Sequence, residues 1–117
     1  MELNLSHSVS ADNSTIEIKV GGRLAIDTAP GLIQLLTENS RCHSTRVDLS
    51  ALQEIDLSGL QLFCSACRTA LNESRIFHIA GLRPAAISNI IGSAGVDSQK
   101  TCRQHPEIQC IWYEGAN

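Results

Sequence analysis

The chain has 117 residues, 43% of them hydrophobic and 18% charged, with a formal net charge of −3. This length suits one domain with one core, and the composition is globular rather than disordered. No basic cluster stands out, which argues against a nucleic-acid face, and no run approaches the roughly 18 apolar residues of a membrane span.

The opening MELNLSHSVS lacks both a basic start and a long apolar run, so no signal peptide is expected and the chain reads as cytoplasmic. Leu3, Leu5, His7 and Val9 alternate weakly, as in an edge strand. ADNS is a turn. TIEIKV alternates cleanly, with Ile16, Ile18 and Val20 facing one way and Glu17 and Lys19 the other. Gly21-Gly22 breaks or bulges this strand before it continues through Arg23-Leu24.

In IDTAPGLIQLLTEN, Asp27 or Thr28 is the candidate cap, Pro30 fits a first helical turn, and Ala29, Leu32, Ile33 and Leu36 form a helical stripe. SRCHS is a loop, and TRVDLS a short central strand through Val47 and Leu49. Leu60, Phe63, Cys64, Cys67 and Leu71 then mark one face of an amphipathic helix ending near Asn72. RIFHIAG is a strand buried by Ile76, Phe77 and Ile79. RPAAISNIIGSAG starts a third helix at Pro84, with Ala86, Ile87, Ile90, Ile91 and Ala94 as its apolar face. A last apolar run, Ile108 to Tyr113, is a candidate final strand.

The order is β-β-α-β-α-β-α. It predicts an α/β fold, a mixed four- or five-stranded β-sheet with helices mainly on one face. The first two strands are expected to pair as a hairpin. A single domain is expected over 1–117, its core at about 14–96 and its tail at 97–117.

The stretch EIDLSGLQLF carries the main chemical question. Ser58-x-x-Gln61 has the pattern of a capping box, worth about 1 kcal/mol. The same geometry also suits a switch. A helix N-terminus has free N–H donors and tolerates an anion, and a phosphate on Ser58 would bring about −1.5 to −2 charge there. Gly59 removes bulk beside the hydroxyl, where another protein would approach. Asp56 is placed to orient the hydroxyl or a kinase-bound metal, and later to repel a phosphate.

Other motifs point elsewhere. The five cysteines are an odd number without a small-scaffold spacing, so they read as free thiols. Cys64-x-x-Cys67 lies on the apolar stripe rather than at a helix start, which favours core over redox or metal use. Cys102, His105 and Cys110 match no common zinc spacing. Cys42-His43 reads as loop, and His78 falls on the polar face of its strand. No catalytic triad assembles, and the glycine pairs lack the residues of a phosphate loop. No catalytic residue, cofactor or metal is therefore expected.

Four segments together resemble a STAS domain, the family of bacterial anti-anti-sigma factors and of the cytoplasmic domains of sulphate transporters. They are GGRLAIDTAPGL, RVDLSALQEID, DLSGLQLF and IAGLRPAAISNIIGSAGV, and the resemblance covers roughly residues 14 to 96. In that family a serine or threonine opens the helix after Asp and one variable residue, and it is phosphorylated in the switching members. Ser58 matches it, with Asp56 and Gly59 in register. Many switching members carry an acid directly after the residue matching Leu24; here Ala25 stands there, and the nearest acid is Asp27.

The resemblance implies a non-enzymatic regulator like an anti-sigma factor antagonist. Its expected partner-binding surface is Asp56, Leu57, Ser58, Gly59, Gln61 and Asp27. Its expected partner is an anti-sigma factor or related serine kinase, which would hold the ATP and magnesium. Membrane insertion is not expected, and a homo-oligomer is not indicated. Two rivals stand beside it. One is a constitutive adaptor subunit of a transporter ATPase or chemotaxis-type complex, with Ser58 only a cap. The other is a thiol redox enzyme using Cys64 or Cys67.

Overall fold

The computed structural model describes residues 2–81 and 83–93. The candidate final strand at Ile108–Tyr113, the tail cysteines with His105, and Ala94 lie outside the described residues.

The elements in chain order are β1 (Leu3–Val9), β2 (Thr15–Leu24), α1 (Ala29–Glu38), β3 (Ser44–Asp48), β4 (Leu52–Ile55), α2 (Leu57–Asn72), β5 (Ile76–Ala80) and α3 (Ala85–Ser93). The fold is α/β, and the described residues form one mixed sheet of five strands. Its order is β1-β2-β3-β5, and β4 pairs with β2 beyond β3. β1 runs antiparallel to β2, as a hairpin requires. β3 and β4 run parallel to β2, and β5 parallel to β3.

β4 corrects the expected element order. It has only four residues, of which Gln53 and Glu54 are exposed, so its alternation is too short to register as a strand. The long β2 makes room for it. Thr15–Lys19 pair with β3, and Gly22–Leu24 pair with β4 across a register shift between Gly22 and Arg23. Gly22 has φ of +80°, and a Cβ there would lie 2.0 Å from the Glu2 carbonyl oxygen. Only glycine allows β1 to pass this close to the bulge.

The alternation of β2 carries into the core. Ile16, Ile18 and Val20 are buried, and the pairing aligns Ile16 with Thr45 and Phe77, and Ile18 with Val47 and Ile79. All three helices add to this same cluster, through Leu32 of α1, Leu60 and Phe63 of α2, and Ile87 of α3. Each such side chain contributes about 1.5–3 kcal/mol by leaving water. The reverse face of the sheet shows exposed Glu17, Lys19 and Arg46. Ile76 also falls on that reverse face and is 49% exposed, so the expectation that it is buried does not hold. Cys42, read as loop, does lie between α1 and β3, but its thiol is fully buried in the core.

Candidate functional site at the start of α2

The turn from β4 into α2 is held by Asp56. Its backbone is extended, and its Oδ1 accepts from the Gly59 N–H at 3.0 Å. Its carbonyl oxygen accepts from the Leu60 N–H at 3.2 Å, and its own N–H donates to the Leu24 carbonyl at 3.2 Å. Asp56 is therefore the N-cap. This corrects the capping-box reading of Ser58 and Gln61. Ser58 is the second helical residue, and its hydroxyl makes no hydrogen bond to any described residue.

The second carboxylate oxygen of Asp56 points away from its own helix. Oδ2 accepts from the Ile26 N–H at 3.1 Å, thirty residues earlier in the chain. One side chain thus joins the start of α2 to the loop between β2 and α1. That loop is also tied internally. The Thr28 hydroxyl accepts from the Ala25 N–H at 2.9 Å, so Thr28 occupies the cap position of α1 without bonding forward into the helix.

Asp27 faces Arg23, whose Nη1 donates to both carboxylate oxygens at 2.8 and 2.9 Å. Glu54 approaches the same guanidinium at 3.7 Å. The hydrogen bond from Arg23 holds the Asp27 carboxyl below the usual aspartate range, and the Asp27 carboxylate pushes Arg23 up. Asp27 is thus a paired surface charge rather than a helix cap. Ala25 is 5% exposed, packed inward beneath the loop.

Gly59 is buried, which corrects its expected place on the binding surface. The side on which a Cβ would stand is filled by Ile55 and Leu24 of the core. Leu57 is 45% exposed, Gln61 is exposed, and Ser58 is half-buried. The structure thus brings Asp56, Leu57, Ser58 and Gln61 together at one helix end, with Gly59 beneath them.

A groove of about 770 Å³ runs between α1 and α2, with Ser58 and Ile26 in its lining. Ile33 and Leu36 line it from α1, Leu62 and Ala66 from α2, and Phe77 below. Near Glu73 and Arg75, which also line the groove, those two side chains pair with each other. Among the described residues only four large hydrophobic side chains are exposed; two of them, Ile26 at 74% and Ile33 at 49%, line this groove, and a third, Leu57, stands next to Ser58 in the chain. Sequence periodicity did not reveal this groove. Ile33 counted toward the buried stripe of α1, and Ile26 belonged to no stripe.

Among the described residues no three His, Cys, Asp or Glu side chains group to hold a metal ion, and no helix is long and apolar enough to cross a membrane. Cys64 is half-buried and Cys67 buried, both two or more turns into α2.

Among the described residues, a five-stranded mixed sheet with three helices, a capped helix start and a serine hydroxyl without a hydrogen bond beside it define a small α/β domain of the STAS type. The family model described as "Mlab, STAS domain" matches residues 7–101, and the chain belongs to the STAS domain family. No curated protein sequence matches it. Among solved structures, the chain is similar to an anti-sigma factor antagonist from Mycobacterium paratuberculosis, at 21% identity and a TM-score of 0.58, over 80% of each chain. It is also similar to the STAS domain of an antisigma-factor antagonist from Rhodobacter sphaeroides, at 14% identity and a TM-score of 0.57, covering 76% of this chain and 91% of that one. A third likeness is to Mglu, at 14% identity and a TM-score of 0.56. It covers 65% of this chain, which spans only 19% of the Mglu chain.

Proposed function

We propose that this protein is a non-catalytic signalling regulator that binds a protein partner through the start of α2, and that phosphorylation of Ser58 switches the binding. The observation that carries this reading is the division of labour at the helix start. Asp56 caps the helix, so the Ser58 hydroxyl is structurally unused and sits beside exposed Ile26 and Leu57. Asp56, Leu57, Ser58 and Gln61, with Asp27 at the edge, form the docking surface in this reading. Its solved likenesses include anti-sigma factor antagonists, which makes an anti-sigma factor or related serine kinase the partner to test first.

In the switching step, the Ser58 hydroxyl attacks the γ-phosphorus of ATP held with magnesium by the kinase. The hydroxyl proton passes to a kinase base and ADP leaves. The phosphate adds about −1.5 to −2 charge beside Asp56. Like-charge crowding and the hydration of the phosphate then oppose burial of the neighbouring apolar side chains.

A second reading, a constitutive adaptor subunit of a transporter ATPase or chemotaxis-type complex, is favoured by the apolar lining of the groove, because permanent interfaces are the more apolar ones. Mass spectrometry of the protein from its own cells separates the two. A phosphate on the Ser58 peptide, with loss of partner capture by Ser58→Asp, supports the switch. An unmodified Ser58 under several growth conditions, with equal capture by wild type and Ser58→Asp, removes it and leaves the adaptor.

A further inference from the structure

We propose that Asp56 is a positioning residue that couples the charge state of Ser58 to the Ile26 loop, so that phosphorylation reshapes the docking surface as well as recharging it. This rests on the reading of Ser58 as the switch. The geometry is a two-armed bracket. Oδ1 holds the Gly59 N–H at 3.0 Å and Oδ2 holds the Ile26 N–H at 3.1 Å.

A phosphate on Ser58, the second residue of α2, would sit within the first helical turn, where the free N–H groups attract an anion. It competes with Asp56 for the Gly59 N–H and repels the Asp56 carboxylate. Both effects act on the arm that fixes the carboxylate in place. When the carboxylate turns away, Ile26 loses its acceptor. Ile26 is the most exposed large hydrophobic side chain among the described residues, and it stands at the groove with Ser58. Freeing its backbone removes a fixed apolar contact from the docking surface. The rest of the loop has its own ties, from Thr28 to Ala25 and from Arg23 to Asp27, so the change stays local.

The test is amide hydrogen exchange by NMR on the full chain, made with genetically encoded phosphoserine or with serine at position 58. The phosphate should speed exchange at Ile26 by about tenfold, as expected for losing a hydrogen bond to a charged acceptor, and should leave Val47 in β3 unchanged. Asp56→Asn keeps a capping side chain but cannot serve both N–H groups as a carboxylate does. In that variant Ile26 should exchange fast already, and the phosphate should add little.

An Ile26 amide indifferent to the phosphate, or a tenfold rise that persists in Asp56→Asn, overturns the coupling. Partner capture is scored on the same samples. Loss of capture with Ile26 still protected refutes the bracket and leaves the Ser58 switch standing. A freed Ile26 with capture undiminished keeps the bracket and refutes the switch.

Discussion

A Cβ placed on Gly59 would stand 2.7 Å from Cγ1 of Ile55, and 3.1 Å from Cγ of Leu24. This contact welds the start of α2 onto β4 and the end of β2. Gly59→Ala therefore sets two effects against each other. Alanine favours a helix by up to about 1 kcal/mol, while forcing a methyl against Ile55 costs about 1–3 kcal/mol. The crowding should win, because two neighbours are approached closely at once. Urea unfolding should give a loss of about 1–2 kcal/mol, with the slope unchanged. A stabilised variant would mean that Ile55 repacks freely.

Capping energetics should separate Asp56 from Ser58. Asp56→Ala removes the acceptor for both Gly59 and Ile26, and should cost about 1–2 kcal/mol or more. Ser58→Ala removes a hydroxyl with no described hydrogen bond, and should stay within about 0.5 kcal/mol. The same urea titrations check both. A costly Ser58→Ala would restore the capping box.

These two residues also show how far the sequence could be read. Both are good caps, two positions apart, and local pattern alone cannot choose between them. The choice is made by the Ile26 N–H, a contact across thirty residues that no local spacing encodes. Gly59 was misread for the same reason, since its tight neighbours Leu24 and Ile55 come from other elements. By contrast, Ile16, Ile18 and Val20 announce β2, because burial on one face of a strand imposes a period of two. The resemblance to STAS domains named the family and its α/β fold, while the groove between α1 and α2 depends on how two helices are spaced.

The turn between β1 and β2 should carry a local pH response. The Ser10 and Ser14 hydroxyls donate to Asp12 Oδ1 at 2.7 and 2.8 Å, and lower the Asp12 carboxyl from 3.8 to about 2. A carboxyl depressed in the folded state stabilises it above its unfolded value of 3.8, and that contribution is lost as pH falls from there toward about 2. NMR titration of the Asp12 side chain should show the low midpoint, and Ser10→Ala should raise it. A midpoint near 3.8 in the wild type would rule out the hydroxyl cage.

Thiol accessibility should follow burial. Cys42 and Cys67 are buried and Cys64 is half-buried. In the native protein, alkylation followed by peptide mass spectrometry should label Cys64 faster than the other two, and all three should react in urea. Fast native labelling of Cys67 would reopen a thiol-based activity.

The docking surface makes the most discriminating prediction, because the fold supplies its own control. Ile33 and Ile76 are equally exposed, at 49%, but Ile33 lines the groove and Ile76 lies on the reverse face of the sheet. Each should tolerate glutamine with a stability change within about 0.5 kcal/mol, since neither is in the core. If a partner covers the groove, burying an isoleucine contributes about 1.5–3 kcal/mol to the complex, so Ile33→Gln should weaken binding by at least about tenfold. Ile26→Gln should do the same. Ile76→Gln should leave the affinity unchanged. The measurement is calorimetric titration of each variant against the partner that co-purifies with the wild-type chain. Equal affinity for all three variants would show that the partner docks elsewhere. A loss confined to Ile76→Gln would move the interface to the open face of the sheet, where Glu17 and Arg46 form a charged row and the switch at Ser58 would have no direct reach.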